Sequence, residues 1–144
     1  MDIIIGSDHA GFALKEECRV YLEGNPVHKI IDAGVFSTES SDYPNIAHSV
    51  ALSIIKGEYQ RGILICGSGI GMSIVANRHK GVRAALCHNI YLARMSRQHN
   101  DANILVMGGR VIGIGLALEM VEVFLETEFE GGRHSRRLDL IDQC

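Results

Sequence analysis

The sequence predicts an α/β fold, one parallel sheet covered by helices on both faces. Short apolar runs alternate with longer amphipathic stretches along the whole chain, the pattern produced when strands are buried on both sides and crossover helices join them. Each apolar run is bounded by glycine or polar residues, and 144 residues with 47% apolar content suit one compact domain, residues 1–144.

Five runs read as strands: DIIIG (2–6), HKIID (28–32), GILIC (62–66), RAALC (83–87) and NILVMG (103–108). Between the first two, AGFALKEECRVYLEG (10–24) repeats apolar residues at Phe12, Leu14, Cys18, Tyr21 and Leu22, which gives a helix one buried face. PNIAHSVALSIIKG (44–57) puts Pro44 where the first turn of a helix tolerates it and closes on Gly57. Further helices are expected from about Gly71 to Arg78, Ile90 to His99 and Ile114 to Thr127, with a short one from about Ser135 to Asp142. The longest polar connection, AGVFSTESSDYPN at 33–45, is a candidate functional loop.

A net charge of −3 argues against a polyanion-binding surface and hence against nucleic acid. RHSRR at 133–137 concentrates positive charge locally, on a scale that suits one or two phosphates. No basic segment leads into a sustained apolar run at the start, and nowhere do about 18 apolar residues follow one another, so a soluble cytoplasmic protein without a membrane partner is expected. Cys18, Cys66, Cys87 and Cys144 form no C-x-x-C pair and are too sparse for a disulfide scaffold, which fits a reducing compartment. The seven histidines show no H-E-x-x-H spacing and no carboxylate cluster suggests magnesium, so neither metal nor cofactor is expected.

In open parallel sheets ligands sit beyond the carboxyl ends of the strands. Polar residues recur at those ends: Ser7, Asp8 and His9 after the first run, Cys66 to Ser68 after the third, His88 and Asn89 after the fourth, Gly109 and Arg110 after the fifth. The third run opens into CGSGIGMS, with Gly67, Gly69 and Gly71. A dinucleotide fingerprint would need G-x-G-x-x-G and an acidic residue about 20 positions on. Here Met72 takes the third glycine's place and the following strand ends in Cys87 and His88; no G-x-x-x-x-G-K-[ST] occurs either. What remains is a strand, a glycine turn and a helix start, which aims several N–H groups at one small anion. That anion is a bound phosphate or an oxygen that becomes negative during reaction.

Cys66 stands at the mouth of this turn. A cysteine ending an apolar strand is ordinarily a small buried hydrophobe, but a neighbouring helix N-terminus stabilises thiolate and makes a base or nucleophile of it. The Ser68 hydroxyl, otherwise a turn residue, could relay a proton. His99, in SRQHND, is either a helix-end residue or an acid/base, and Asn100 a C-cap or an amide donor to an oxygen. Arg110, Arg133 and Arg137 are surface charges or phosphate ligands; Arg133 and Arg137, four apart, could share one helical face.

GSDHAGFALK at the start, SDYP at 41–44, ICGSGIGMSIVANR in the middle, SRQHNDAN at 96–103 and EGGRHSRRL near the end resemble, in order and spacing, the type B ribose-5-phosphate isomerases. The likeness runs from residue 2 to about residue 138. It implies a Rossmann-like, or flavodoxin-like, three-layer α/β/α sandwich with a five-stranded parallel sheet. It also implies a homodimer or dimer of dimers with active sites shared between subunits, acting on a sugar phosphate without metal. By that resemblance Cys66 is the base moving a proton between C2 and C1, with Ser68 assisting. Asp8, Tyr43 and His99 surround the ring oxygen and hydroxyls during ring opening. Gly67, Gly69, Gly71 and Asn100 stabilise the enediolate, and His9, Arg110, Arg133 and Arg137 hold the phosphate. Relatives that use a loop glutamate instead of the cysteine would place it at Met72, so this chain resembles the cysteine branch.

The residue types fit that chemistry independently. Aldose–ketose isomerisation needs a base for a weakly acidic C–H, a stabiliser for the enediolate and an acid/base to open the sugar ring. Binding energy from the unreactive phosphate can position the reacting carbons. A six-carbon substrate such as galactose or allose 6-phosphate, a non-catalytic sugar-phosphate binding module and a cysteine-nucleophile hydrolase are the alternatives.

Overall fold

The computed structural model describes residues 1–143; Cys144 lies outside the described residues. Strands β1 (Asp2–Ser7), β2 (Lys29–Asp32), β3 (Arg61–Cys66), β4 (Ala84–Leu86) and β5 (Ile104–Gly108) pair in parallel, in the order β2-β1-β3-β5-β4. Helices α1 (Phe12–Glu23), α2 (Tyr43–Ile55), α3 (Ile70–Ala76), α4 (Ile90–Gln98), α5 (Ile114–Glu126) and α6 (Arg133–Leu138) complete the chain. All five expected strands and six expected helices form.

The strands carry the two faces in alternate residues, as a pleat requires. Ile3, Ile5, Ile63, Ile65, Leu105 and Met107 pack on one face with Leu14, Cys18 and Leu22 of α1, Ala93 of α4 and Phe124 of α5. Ile4, Leu64, Ile104 and Val106 pack on the other with Val50 and Ile54 of α2 and Met72 and Ala76 of α3. Both faces are covered, so the molecule is a three-layer α/β/α sandwich. Among the described residues no helix is long and apolar enough to cross a membrane.

Three boundaries differ from expectation. α3 begins at Ile70 rather than Gly71 because Gly69, at φ 80°, turns left-handed as its N-cap. α6 begins at Arg133, two residues early, directly after Gly131 and Gly132, both at positive φ, and it ends at Leu138. β4 is only Ala84–Leu86; it pairs with β5 alone and leaves Cys87 beyond its end.

The polar connection after β2 is anchored by a buried charge. Lys15 of α1 is fully buried, pairs with Glu16 and Asp32, and lies 5.2 and 5.4 Å from the Phe12 and Phe36 ring centres. Asp32 in turn accepts the Gly34 N–H at 2.8 Å. The chain leaving β2 is thereby fixed where it turns back towards α2 and Tyr43.

Candidate active site

The order β2-β1-β3 places β1 and β3 side by side where the chain reverses direction across the sheet, the position at which open α/β sheets form a crevice. The register aligns Ser7 with Ile65 and Cys66 with Gly108, so the residues following β1, β3 and β5 emerge at one level. They border a cleft of about 650 Å³ lined by Asp8, His9, Ala10, Tyr43, Cys66, Gly67, Ser68, Ile70, Gly71, Ile74, Arg110 and Val111.

The glycine loop wraps the cysteine. A side chain at Gly69 would be strained at its φ of 80°, and its Cβ would lie 2.4 Å from Leu86 Cδ1 and 3.0 Å from the Met107 carbonyl carbon. That turn lets the Gly69 N–H donate to Cys66 Sγ at 3.1 Å, which stabilises negative charge on the sulfur. The Ile70 N–H is satisfied by Ser68 Oγ at 3.3 Å. The N–H of Gly71, in the first turn of α3, has no acceptor within the helix, and Gly71 lines the cleft. The Tyr43 ring occupies the space a Gly71 side chain would fill, with Cε2 and Cζ each 2.7 Å from a Cβ built there.

The opposite wall holds acid/base groups in fixed orientations. Asp8 is buried and accepts the Gly11 N–H on Oδ1 at 2.9 Å. His9 and Ser41 exchange two bonds: the His9 N–H donates to Ser41 Oγ at 3.1 Å, and the Ser41 N–H donates to His9 Nδ1 at 3.2 Å. With Nδ1 accepting, a neutral His9 carries its ring proton on Nε2. Arg110 follows β5, its backbone N–H bonded to the Gly67 carbonyl at 3.0 Å.

His99 and Asn100 are elsewhere. His99 caps the C-terminus of α4, and the chain then passes into the start of β5 at Ile104. Arg83, just before β4, donates to the Asn100 carbonyl at 2.9 Å, so this segment lies at the amino ends of the strands. A second cleft of about 380 Å³ is lined by His99, Asn100, His134, Arg137, Leu138 and Ile141. The length of β5 separates the two clefts, roughly 13 Å at 3.3 Å per residue. Arg133 and Arg137 both fall on α6, four residues apart. The expected site residues therefore divide into two groups within one chain: Asp8, His9, Tyr43, Cys66, Gly67, Ser68, Gly71 and Arg110 at one end, His99, Asn100 and Arg137 at the other. Gly69 shapes the loop from beneath.

Some strand-end residues serve folding instead. Asn89 caps α4, accepting the Leu92 N–H at 2.8 Å, and His88 lines neither cleft. Two arrangements join side chains distant in the sequence. Ser41 holds His9, and its place two residues before Tyr43 in the polar loop was the available clue. His134 stacks on His99, with ring centres 4.3 Å apart and 11° between planes, and its Nε2 lies 3.5 Å from Glu130 Oε2. His99, Glu130 and His134 bring their ligand-type atoms within 4.8 Å of one another. They are the residues that could hold a metal by type, but stacked rings run their lone pairs side by side rather than at one point.

A parallel α/β/α sandwich with a glycine-wrapped thiol, backbone donors and an arginine at the carboxyl edge of its sheet has the form of a small-anion enzyme. The family model described as Ribose/Galactose Isomerase matches residues 3–141, and the chain belongs to that family. It is 48% identical over 139 residues to ribose-5-phosphate isomerase B of Escherichia coli, covering 96% of this chain and 93% of that one. Its fold superposes with a TM-score of 0.97 on a ribose 5-phosphate isomerase from Thermotoga maritima, 52% identical, covering 99% and 98% of the two chains. A ribose-5-phosphate isomerase B from Clostridium thermocellum gives 0.97 at 50% identity, covering 99% of this chain and 96% of that one.

Proposed function

We propose that this protein interconverts ribose 5-phosphate and ribulose 5-phosphate through an enediolate, in active sites each built from two copies of the chain. The observation that carries the reading is Cys66 held at the cleft floor by the Gly69 N–H, beside the Gly71 N–H in the first turn of α3. The Cys66 thiolate removes the C2 proton; the electron pair moves to the carbonyl oxygen, which the loop N–H groups and Asn100 of a second copy stabilise. The same thiol returns the proton to C1, while Ser68 relays the O2 proton to O1. Ring opening precedes this: Asp8 accepts the proton of the anomeric hydroxyl, the C1–ring oxygen bond breaks, and His99 supplies a proton to the ring oxygen, with Tyr43 packed alongside. His9, Arg110, Arg133 and Arg137 bind the phosphate, whose unreactive contacts fix the reacting carbons.

Reach supports sharing between copies. A phosphate and five carbons in line, at roughly 1.3 Å of advance per bond, extend about 8 Å, less than the separation of the two clefts. A two-fold pair that sets the His99 end of one chain against the Cys66 end of the other completes two equivalent sites. Exposed apolar side chains at both ends support the contact: Ile70, Ile74 and Val111 at one, Ile141 at the other. Cys18, Cys66 and Cys87 are free thiols, which supports a reducing, cytoplasmic setting.

Proton NMR with ribose 5-phosphate in D₂O tests the reading. Ribulose 5-phosphate should form with deuterium at C1, and Cys66→Ala should remove nearly all turnover while keeping substrate binding. An active alanine variant would sink the base assignment. Turnover of a six-carbon 6-phosphate without turnover of ribose 5-phosphate would move the substrate one carbon up, and binding of both without turnover of either would make the protein a binding module.

A further inference from the structure

We infer that His134, backed by Glu130, is a positioning residue that fixes the His99 imidazole for the ring-opening proton transfer. The inference rests on the role proposed for His99. That side chain sits half-buried at a helix end, where among the described residues no hydrogen bond fixes its ring. What restrains it is a face: the His134 ring lies against it with centres 4.3 Å apart and planes within 11°. His134 is itself 5% exposed on the short helix α6, its Nε2 in reach only of Glu130 at 3.5 Å. The Glu130 backbone N–H donates to the Gln98 carbonyl at 3.0 Å, which ties the segment carrying this pair to the residue immediately before His99.

The arrangement has a chemical use. Burial holds the His134 imidazole below its ordinary value, with His99, Arg133 and Arg137 adding to that and Glu130 opposing it. The stacked ring restrains the His99 imidazole through its face without taking up a hydrogen bond of its ring nitrogens. The exposed side chain of Asn100 beside it offers no such restraint, and an imidazole free to rotate misses the ring oxygen in most of its orientations.

The test compares two reactions of the same enzyme. Isomerisation of ribose 5-phosphate needs ring opening. Deuterium exchange into C1 of ribulose 5-phosphate does not, because the phosphate occupies the only hydroxyl that could close a five-membered ring on C2. His134→Ala should lower ribose 5-phosphate turnover by roughly 10- to 100-fold while exchange stays within about twofold. His134→Phe, which restores a flat ring, should recover most of the loss. Glu130→Gln, at a side chain 45% exposed and so harmless to folding, should show the same selective loss to a smaller degree. A fall of both reactions in proportion in His134→Ala, or of neither, would overturn the inference, since a loss of folded enzyme lowers both equally. His99→Asn separates this from the underlying reading: if it too spares isomerisation, the ring-opening role of His99 fails first.

Discussion

Mixing two inactive variants tests the two-copy site most directly. Cys66→Ala removes the base from the carboxyl-edge cleft, and His99→Asn removes the acid/base from the cleft at the amino edge. Each homodimer then carries the same lesion in both of its sites. In a mixed dimer one site collects both lesions and the other collects none, because a two-fold axis pairs the Cys66 end of each chain with the His99 end of its partner. Random reassociation of equal amounts makes half the dimers mixed, and each has one intact site, so the mixture should recover about a quarter of the wild-type rate per chain. Mixed dimers isolated with two affinity tags should reach about half. The assay is ribose 5-phosphate turnover before and after subunit exchange. A mixture that gives only the sum of the two residual rates, with exchange verified by the tags, would refute the two-copy site and require His99 to act within its own chain or not at all.

Gly69→Ala should cost roughly 3 kcal/mol, from about 1–2 for a side chain at left-handed φ plus the contact with the Met107 carbonyl carbon. A melting temperature lowered by roughly 10 °C with turnover reduced would fit, and an unchanged melt would not. Burial raises Cys18 to about 12 and Cys87 to about 11, leaving roughly 10⁻⁴ and 10⁻³ of each as thiolate at pH 8. Iodoacetamide followed by peptide mass analysis should therefore label Cys66 well before either, with ribose 5-phosphate slowing the reaction; comparable labelling of Cys18 or Cys87 in folded protein would contradict the buried assignment. Hydrogen bonds from Arg19 and Lys15 lower the Glu16 carboxyl from the usual 4.5 to about 2. A lowered folded-state value adds stability above pH 4.5 that is lost as pH falls from there towards 2, so wild type and Glu16→Gln should converge in denaturant midpoint across that window, and a constant gap would argue against it.

The strands, helices and layer architecture were legible because burial on both faces leaves continuous apolar runs, and amphipathic helices leave a 3.6-residue period. Element ends were less so. α3 starts one residue early because of the conformation of Gly69, and α6 because two glycines at positive φ let the chain turn directly into it. The Cys66 loop, Asp8 and Arg110 could be placed together from the sequence because parallel strands deliver their carboxyl ends to one edge by topology alone.

The sequence by itself determined the sandwich, the glycine turn around Cys66 and the side chains at the carboxyl edge, since these depend on local period and on the direction of parallel strands. Tertiary structure alone decided that His99 and Asn100 lie a strand's length from Cys66, that Ser41 orients His9 and that His134 faces His99. Those relations join residues about 30 positions or more apart, and their geometry depends on how α4, α6 and the polar loop pack against the sheet, for which no short-range pattern in the chain supplies a signal.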